Sequence, residues 1–500
     1  MELLSNLSLG FSVALGGANL LYCFIGVLLG TIIGVLPGIG PIATMAMLLP
    51  ATFVLPPVSA LIMLAGMYYG ASYGGSTTAI LMNLPGEISS VVTCLDGYQM
   101  ARRGQAGKAL GIAALGSFFA GSVATLLIAA FAPPLAEMAL KFGPAEYFSL
   151  VVLGLIAAVV LAQGSIIKAV AMIVLGLLIG LIGTDVNSGV RRFNFGMFEL
   201  SDGVGIGPIA MGLFGFAEII RNLEHTKKRE IFIKRVTGLL PTWQDIKQSA
   251  WAVIRGTVLG STLGILPGAG TVLGSFSAYM VEKKLAKDPS RFGKGAIEGV
   301  AAPESANNAA AQTSFIPLLT LGIPVSPVMA MMMGAMIIQG IQPGPTVIRD
   351  QPELFWGIVS SMWVGNLMLV VLNLPLIGLW VKLLTIPYRF LYPAILIFCG
   401  IGVYSISNAW MDVLLSALFG FVGYVFIKFG CEPAPLLLGF VLGPMMEENL
   451  RRALRLSIGD PTVFFTRPIS LTLLILAAAL LVIVLVPTVR KTREVAFREE

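Results

Sequence analysis

Two runs hold most of the oxygen chemistry available inside this chain. The first, Ser72-Tyr-Gly-Gly-Ser-Thr-Thr78, sets the hydroxyls of Ser72, Ser76 and Thr77 beside the close-approach glycines Gly74 and Gly75, with Asn83 and Pro85 a few residues on. The second, Pro303-Glu-Ser-Ala-Asn-Asn308, supplies Glu304, Ser305, Asn307 and Asn308, then Gln312, Thr313 and Ser314, and ends at Thr320-Leu-Gly322-Ile-Pro324. Uncharged oxygens of these types suit a hard cation such as Na⁺. A carboxylate inside an apolar stretch, as at Glu304, Glu298 or Glu87, is a functional candidate for proton relay or cation pairing. Ser and Thr also pack helices by bonding back to their own backbone, so each single hydroxyl supports either reading. The three asparagines favour function, because a buried amide needs several partners. Asp96, Glu218 and Lys168 read as span-end charges without a role.

Other chemistries lack their residues. His225 is the only histidine, and the four cysteines, Cys23, Cys94, Cys399 and Cys431, show no CxxC spacing, so neither a metal site nor a disulfide framework is supported. They read as idle buried thiols. The sequence contains no HExxH and no Walker A run, which makes a membrane-embedded enzyme the weakest reading. No cofactor is expected beyond a coupling ion, Na⁺ or H⁺.

These residues must be positioned by elements that live in lipid. The chain is 56% hydrophobic and 12% charged over 500 residues, against roughly a quarter charged in soluble domains. Stretches such as Leu150–Leu161, Ile166–Ile182, Leu367–Leu379 and Leu471–Val486, with their flanks, approach the ~20 residues that cross a bilayer as helix. None shows the alternation of a barrel strand. The sequence therefore predicts an all-α polytopic membrane protein of about 10–12 membrane segments. Its 57 glycines and 29 prolines mark close helix packing and deliberate breaks. The formal charge of +6 is spread over short loops, which argues against nucleic-acid binding. The first ten residues have no basic region or cleavage site and read as uncleaved.

Loops rich in Lys and Arg lie in the cytoplasm. Arg221–Lys247, Glu282–Lys294 and Gln99–Lys108 qualify, and four spans between the third and the first (about 109–132, 146–163, 166–184 and 204–221) return the chain to one side. Arg191 and Arg192 sit awkwardly in an external loop on this reading. Trp251–Met280 has cytoplasmic loops at both ends, so it is either a re-entrant hairpin with its tip near Pro267–Gly270 or two tight full spans. Gly30-Thr-Ile-Ile-Gly-Val-Leu-Pro-Gly38-Ile-Gly40 aligns without gaps on Gly260-Ser-Thr-Leu-Gly-Ile-Leu-Pro-Gly268-Ala-Gly270, at an offset of 267 − 37 = 230. Each copy is followed by a broken element carrying one of the polar runs. Sidedness makes the halves upside-down relative to each other, a transporter plan with discontinuous helices meeting at mid-membrane. The expected divisions are 1–221 and 249–488 for the two repeats, 222–248 for a basic linker and 489–500 for a charged tail. A channel or a stand-alone carrier stays open on these residues.

At these positions the chain resembles the large membrane subunit of the tripartite tricarboxylate transporters. The resemblance rests on Gly34-Val-Leu-Pro-Gly-Ile-Gly40, Tyr68-Tyr-Gly-Ala-Ser-Tyr-Gly-Gly-Ser-Thr77, Leu84-Pro-Gly86 with Asp96-Gly-Tyr98, Gly264–Gly270, Gly299-Val-Ala-Ala-Pro-Glu-Ser-Ala-Asn-Asn308 and Pro317-Leu-Leu-Thr-Leu-Gly-Ile-Pro324. It implies a permease of the bacterial cytoplasmic membrane that takes up carboxylates on a Na⁺ or H⁺ gradient. It also implies two partners, a small membrane subunit and a periplasmic solute-binding protein, with lipid around the chain. The identity of the acid and the question of a homodimer stay open.

Overall fold

The computed structural model describes residues 2–36, 40–162, 165–185, 187–224, 236, 238–268, 270–384 and 388–485. It is 80% helical, and among the described residues the only strands are the two-residue pair β1 (Gly183–Thr184) and β2 (Arg191–Arg192). The first half runs α1 (Glu2–Ala14), α2 (Gly17–Val35), α3 (Pro41–Thr52), α4 (Pro57–Met82), α5 (Val91–Met100), α6 (Ala106–Ala139), α7 (Pro144–Leu161), α8 (Ile166–Gly180), α9 (Ile206–Ala210) and α10 (Ala217–Glu224). The second runs α11 (Trp243–Leu263), α12 (Gly270–Leu285), α13 (Glu298–Thr313), α14 (Phe315–Leu321), α15 (Pro327–Ile338), α16 (Thr346–Asp350) and α17 (Pro352–Asn373). It closes with α18 (Ile377–Leu384), α19 (Tyr388–Ser407), α20 (Trp410–Lys428), α21 (Pro433–Leu456), α22 (Val463–Thr466) and α23 (Pro468–Leu485). Prolines open many of these helices, where the missing N–H has no intrahelical partner to lose.

Gly17–Val35, the continuous stretch Ile88–Ala139, Pro352–Asn373 and Trp410–Lys428 are long and apolar enough to cross a bilayer. Shorter apolar helices, among them Ile166–Gly180 and Pro327–Ile338, accompany them. Only 22% of the most apolar part of Trp410–Lys428 is buried, a surface that water would not tolerate and lipid would. The chain is a multi-pass membrane protein.

Helix packing repeats between the halves. A side chain at Gly26, Gly30 or Gly34 of α2 would strike the carbonyl of Met63, Met67 or Ala71 of α4 at 2.1–2.3 Å. A side chain at Gly256 or Gly260 of α11, or at Gly264 just after it, would meet the carbonyl of Ala302, Ala306 or Ala310 of α13 at 2.1–2.5 Å. The glycines are 230 residues apart (256 − 26) and their partners 239 apart (302 − 63), in all three rungs. Within a membrane, where hydrophobic drive between helices is absent, such close backbone approach is what associates them. At the same 239-residue offset, Asn83 (φ 56°) and Gly322 (φ 69°) both end their helices in the left-handed region, each two residues before a proline.

The two polar elements run antiparallel past each other. Tyr68 of α4 packs against Phe315, with ring centroids 6.4 Å apart, whereas Ser76, two turns further along α4, bonds Glu304, three turns earlier on the other element. Ala71 and Ala310, which receive Gly34 and Gly264, both lie between these crossing contacts. Gly34 and Gly264 therefore stand beside the crossing.

Polar contacts sort the helix ends. Glu224, at the edge of the basic linker, pairs with Lys428 at 2.6 Å and so places the end of α20 there. At the opposite end Arg192 pairs with Glu447 at 2.8 Å, Arg451 with Asp185 at 2.9 Å, and Arg467 with Glu146 at 3.3 Å. Exposed pairs stabilise little, but they fix which ends are neighbours. Of the two arginines that looked misplaced in the 185–203 loop, Arg192 faces Glu447 and Arg191 lies over the Phe198 ring, and α21 runs from the linker end to that loop. His225, the rest of 225–235 and 237 in the basic linker, and the C-terminal tail lie outside the described residues.

Candidate functional site

Glu304 is the centre of the site. It sits on α13 one residue after Pro303, and it is 1% exposed. Ser76 of α4 donates to Oε2, and Thr93 of α5 donates to Oε1 at 2.5 Å. The Ser76 hydroxyl also lies 3.2 Å from the Ser72 carbonyl, and its single proton can serve only one of the two acceptors. Asn308, one turn on, donates through Nδ2 to the Glu304 carbonyl at 3.0 Å and to Ser117 of α6 at 2.7 Å. Asn307 donates to Glu87 Oε1 at 2.6 Å. Glu87 opens the short turn Ile88–Ser90 that follows the first break, and its Cγ lies 3.5 Å from where a Cβ on Gly75 would stand. Two carboxylates, two amides and three hydroxyls from α4, α5, α6, α13 and the turn after the first break thus meet in one cluster, buried except at half-buried Glu87.

The remaining predicted residues divide between this cluster, helix packing and the breaks. Thr77 lines a cavity of about 10 Å³ with Tyr73, Ser76, Ser117 and Asn373, a volume at the lower limit for one water and too small for a di- or tricarboxylate. Ser305 is fully buried with its hydroxyl unpartnered, beside Gly116. Ser72, Thr313 and Thr320 bond back to carbonyls four residues earlier in their own helices. Gly74 makes room for the Thr31 carbonyl. Gly40 precedes α3, Gly270 begins α12 against the Leu263 carbonyl, and Gly268 (φ 114°) donates to the Val325 carbonyl at 2.7 Å. That last bond ties the second glycine-rich turn to the second break, next to buried Pro324. Asn83 and Pro85, by contrast, are exposed, with Asn83 serving as a left-handed helix end. Gly38 lies outside the described residues.

Residues 20–438 match the Tripartite tricarboxylate transporter TctA family. The chain belongs to that family. It is 62% identical over 500 residues, the whole of both chains, to an uncharacterized 52.8 kDa protein in the TAR-I ttuC' 3' region of Agrobacterium vitis. It is 64% identical over 241 residues, 48% of this chain and all of the relative, to an uncharacterized protein in the TAR-II ttuC' 3' region of the same organism. No solved structure matches. Membership makes the chain a component of a transporter of tripartite type, with partner subunits.

In this TctA-family chain, sequence reasoning overlooked Thr93, Ser117 and Asp96. Thr93 lies between Val92 and Cys94 and Ser117 between Gly116 and Phe118, outside any polar run. The hint at Ser117 is its small-residue surroundings, since Gly116 faces Ser305 and Gly121 faces Asn366. Asp96, read as a span-end charge, is completely buried. It accepts from the backbone N–H groups of Gly295 and Ala296 at 2.6 and 2.7 Å and from the Tyr279 hydroxyl at 2.9 Å. It is a bolt between α5 and the approach to α13. Glu298 faces Arg291 at 2.9 Å and Gln248 at 3.0 Å, a pairing at the helix entrance away from the cluster.

Proposed function

We propose that this chain is the permease of a binding-protein-dependent carboxylate uptake system in the bacterial cytoplasmic membrane, powered by a Na⁺ or H⁺ gradient. The observation that carries the reading is the buried cluster around Glu304, where broken elements from both halves cross. The antiparallel passage of α4 against α13–α14, with glycine contacts repeated at fixed offsets, supports two oppositely facing halves. The turns near Pro267 are then re-entrant tips reaching the crossing. Backbone N–H groups freed at the breaks, together with amides, recognise the substrate carboxylates, since the cluster offers no guanidinium. The site as described is closed, so a substrate-sized cavity opens when one half moves against the other. A small membrane subunit and a solute-binding protein complete the system, and the chain itself performs no covalent chemistry.

Reconstituted vesicles holding the chain and its small subunit, supplied with the binding protein and a panel of carboxylates, test this. Saturable uptake that collapses on removal of the imposed ion gradient is expected. Conduction that persists without a gradient-coupled substrate would instead make the protein a channel.

A further inference from the structure

The cluster carries an electrostatic imbalance that its own residues do not resolve. Among the described residues, no ion pair includes Glu87 or Glu304. Burying an ionised carboxylate without a cation is costly. Hydroxyl and amide donors soften that cost but bring no positive charge.

A second, independent observation concerns the amides of α13. Asn307 Oδ1, Asn308 Oδ1 and Gln312 Oε1 are buried and accept no hydrogen bond, and each residue is 1% exposed. Rotating the amides does not remedy this. Asn308 Nδ2 faces the Glu304 carbonyl, which can only accept, and Asn307 Nδ2 faces an oxygen of the Glu87 carboxylate. A flip would turn oxygen on oxygen at both places. The free atoms of Asn307 and Asn308 are therefore acceptors, and a buried acceptor left without a partner is costly.

From the two observations together we infer that Asn307, Asn308 and Gln312 supply neutral oxygen ligands to one alkali cation, Na⁺ in size, whose charge offsets buried Glu304. Hard oxygen ligands suit Na⁺, Mg²⁺ and Ca²⁺ alike. The neutral set favours the monovalent ion, because a single buried carboxylate charge, that of Glu304, is to be offset. The inference rests on the uptake reading and names its coupling ion and that ion's ligands.

The test uses the purified full-length chain in detergent, without any carboxylate. Choline chloride is replaced stepwise by NaCl, KCl or, at millimolar levels, CaCl₂ at constant ionic strength, while thermal unfolding and ²²Na⁺ binding are followed. A saturable rise in melting temperature with Na⁺, little change with K⁺, and a half-saturating Na⁺ concentration raised at least about tenfold in Asn307→Ala and in Gln312→Leu are expected. Equal responses to Na⁺, K⁺ and choline, a stronger response to Ca²⁺, or unchanged Na⁺ binding in both variants would overturn the site. Failure of the uptake reading looks different: no acid is transported in vesicles although the Na⁺ response persists. Uptake driven by a proton gradient alone, with no Na⁺ response, removes the site and leaves the uptake reading standing.

Discussion

Glu87 and Ser326 stand 239 residues apart (326 − 87) in nearly the same backbone conformation, φ −143°, ψ 162° and φ −148°, ψ 163°, each at the start of the helical element that follows a break. Their side chains behave differently. The Ser326 hydroxyl accepts from its own helix at Met329 N, 3.2 Å away, while the Glu87 carboxylate reaches Asn307 of the other half. The repeat thus reproduces a scaffold, and the chemistry placed on it is one-sided.

That asymmetry makes Glu304 and Glu87 the positions to test for transport. Glu304→Gln keeps the size of the side chain and its bond with Thr93 while removing the charge. Uptake in reconstituted vesicles is expected to fall at least tenfold at unchanged membrane expression, and Ser76→Ala, which removes one of two donors, is expected to fall less. Near-normal uptake by Glu304→Gln would dismiss the carboxylate as a working part.

The glycine contacts give a prediction about folding. Gly260→Val puts a branched side chain where the Ala306 carbonyl stands 2.1 Å from Cβ, and backbone cannot yield as a flexible side chain does. Overpacking typically costs about 1–3 kcal/mol, and here the expected result is loss of monodisperse protein in detergent chromatography. Gly17→Ala, with open space around the added atom, is expected to elute as wild type.

The left-handed helix ends separate shape from chemistry. Asn83→Gly retains a residue at ease at φ 56° and is expected to leave the melting temperature nearly unchanged, whereas Asn83→Val is expected to lose about 1–2 kcal/mol. Gly322→Asn is not its mirror image, because a Cβ there would lie 2.6 Å from the Pro343 carbonyl. It is expected to unfold at lower temperature than wild type although asparagine fits the dihedral angles.

How much of this was legible beforehand follows from what leaves a trace in one sequence. The breaks at Pro85 and Pro324 and the glycine-rich turn at Gly268 were visible because Gly and Pro act on their own backbone. The run Glu304–Asn308 stood out because polar residues are rare in apolar surroundings. Asn83 could not be resolved: nothing local tells a buried amide from an exposed helix end. Thr93, Ser117 and Asp96 were invisible for another reason, since their partners Glu304, Asn308 and Gly295 lie roughly 190–210 residues away and only the packing of α5 and α6 on α13 brings them together. Thr313 and Thr320 resemble Ser76 in type, and only the structure reveals that they bond to their own helix.

Asp96 supports a prediction about how the halves are held. Asp96→Ala leaves two backbone N–H groups and the Tyr279 hydroxyl without their acceptor, at about 1–3 kcal/mol for each buried donor. Thermal unfolding in detergent is expected at markedly lower temperature. Asp96→Asn retains one accepting oxygen for Gly295 and Ala296 and is expected to fall between Asp96→Ala and wild type. If both variants melt with wild type, the bolt carries no weight.

The pH dependence of the α11 start follows from Asp245. It lies ahead of the membrane-facing part of the helix, where burial alone would raise its pKa. The hydrogen bonds from Lys108 and from Thr242, with the nearby ammonium, outweigh that and hold it below the ordinary carboxylate value of 3.8. A carboxyl whose folded pKa is depressed stabilises the fold fully above its unfolded pKa, and the contribution fades as pH falls through the folded value. Asp245→Asn removes the ion pair with Lys108 at every pH. Wild type is therefore expected to melt above Asp245→Asn from pH 7 down to about 4, with the gap closing as pH falls further. A gap that stays constant through acid would assign the difference to lost capping of α11 rather than to charge.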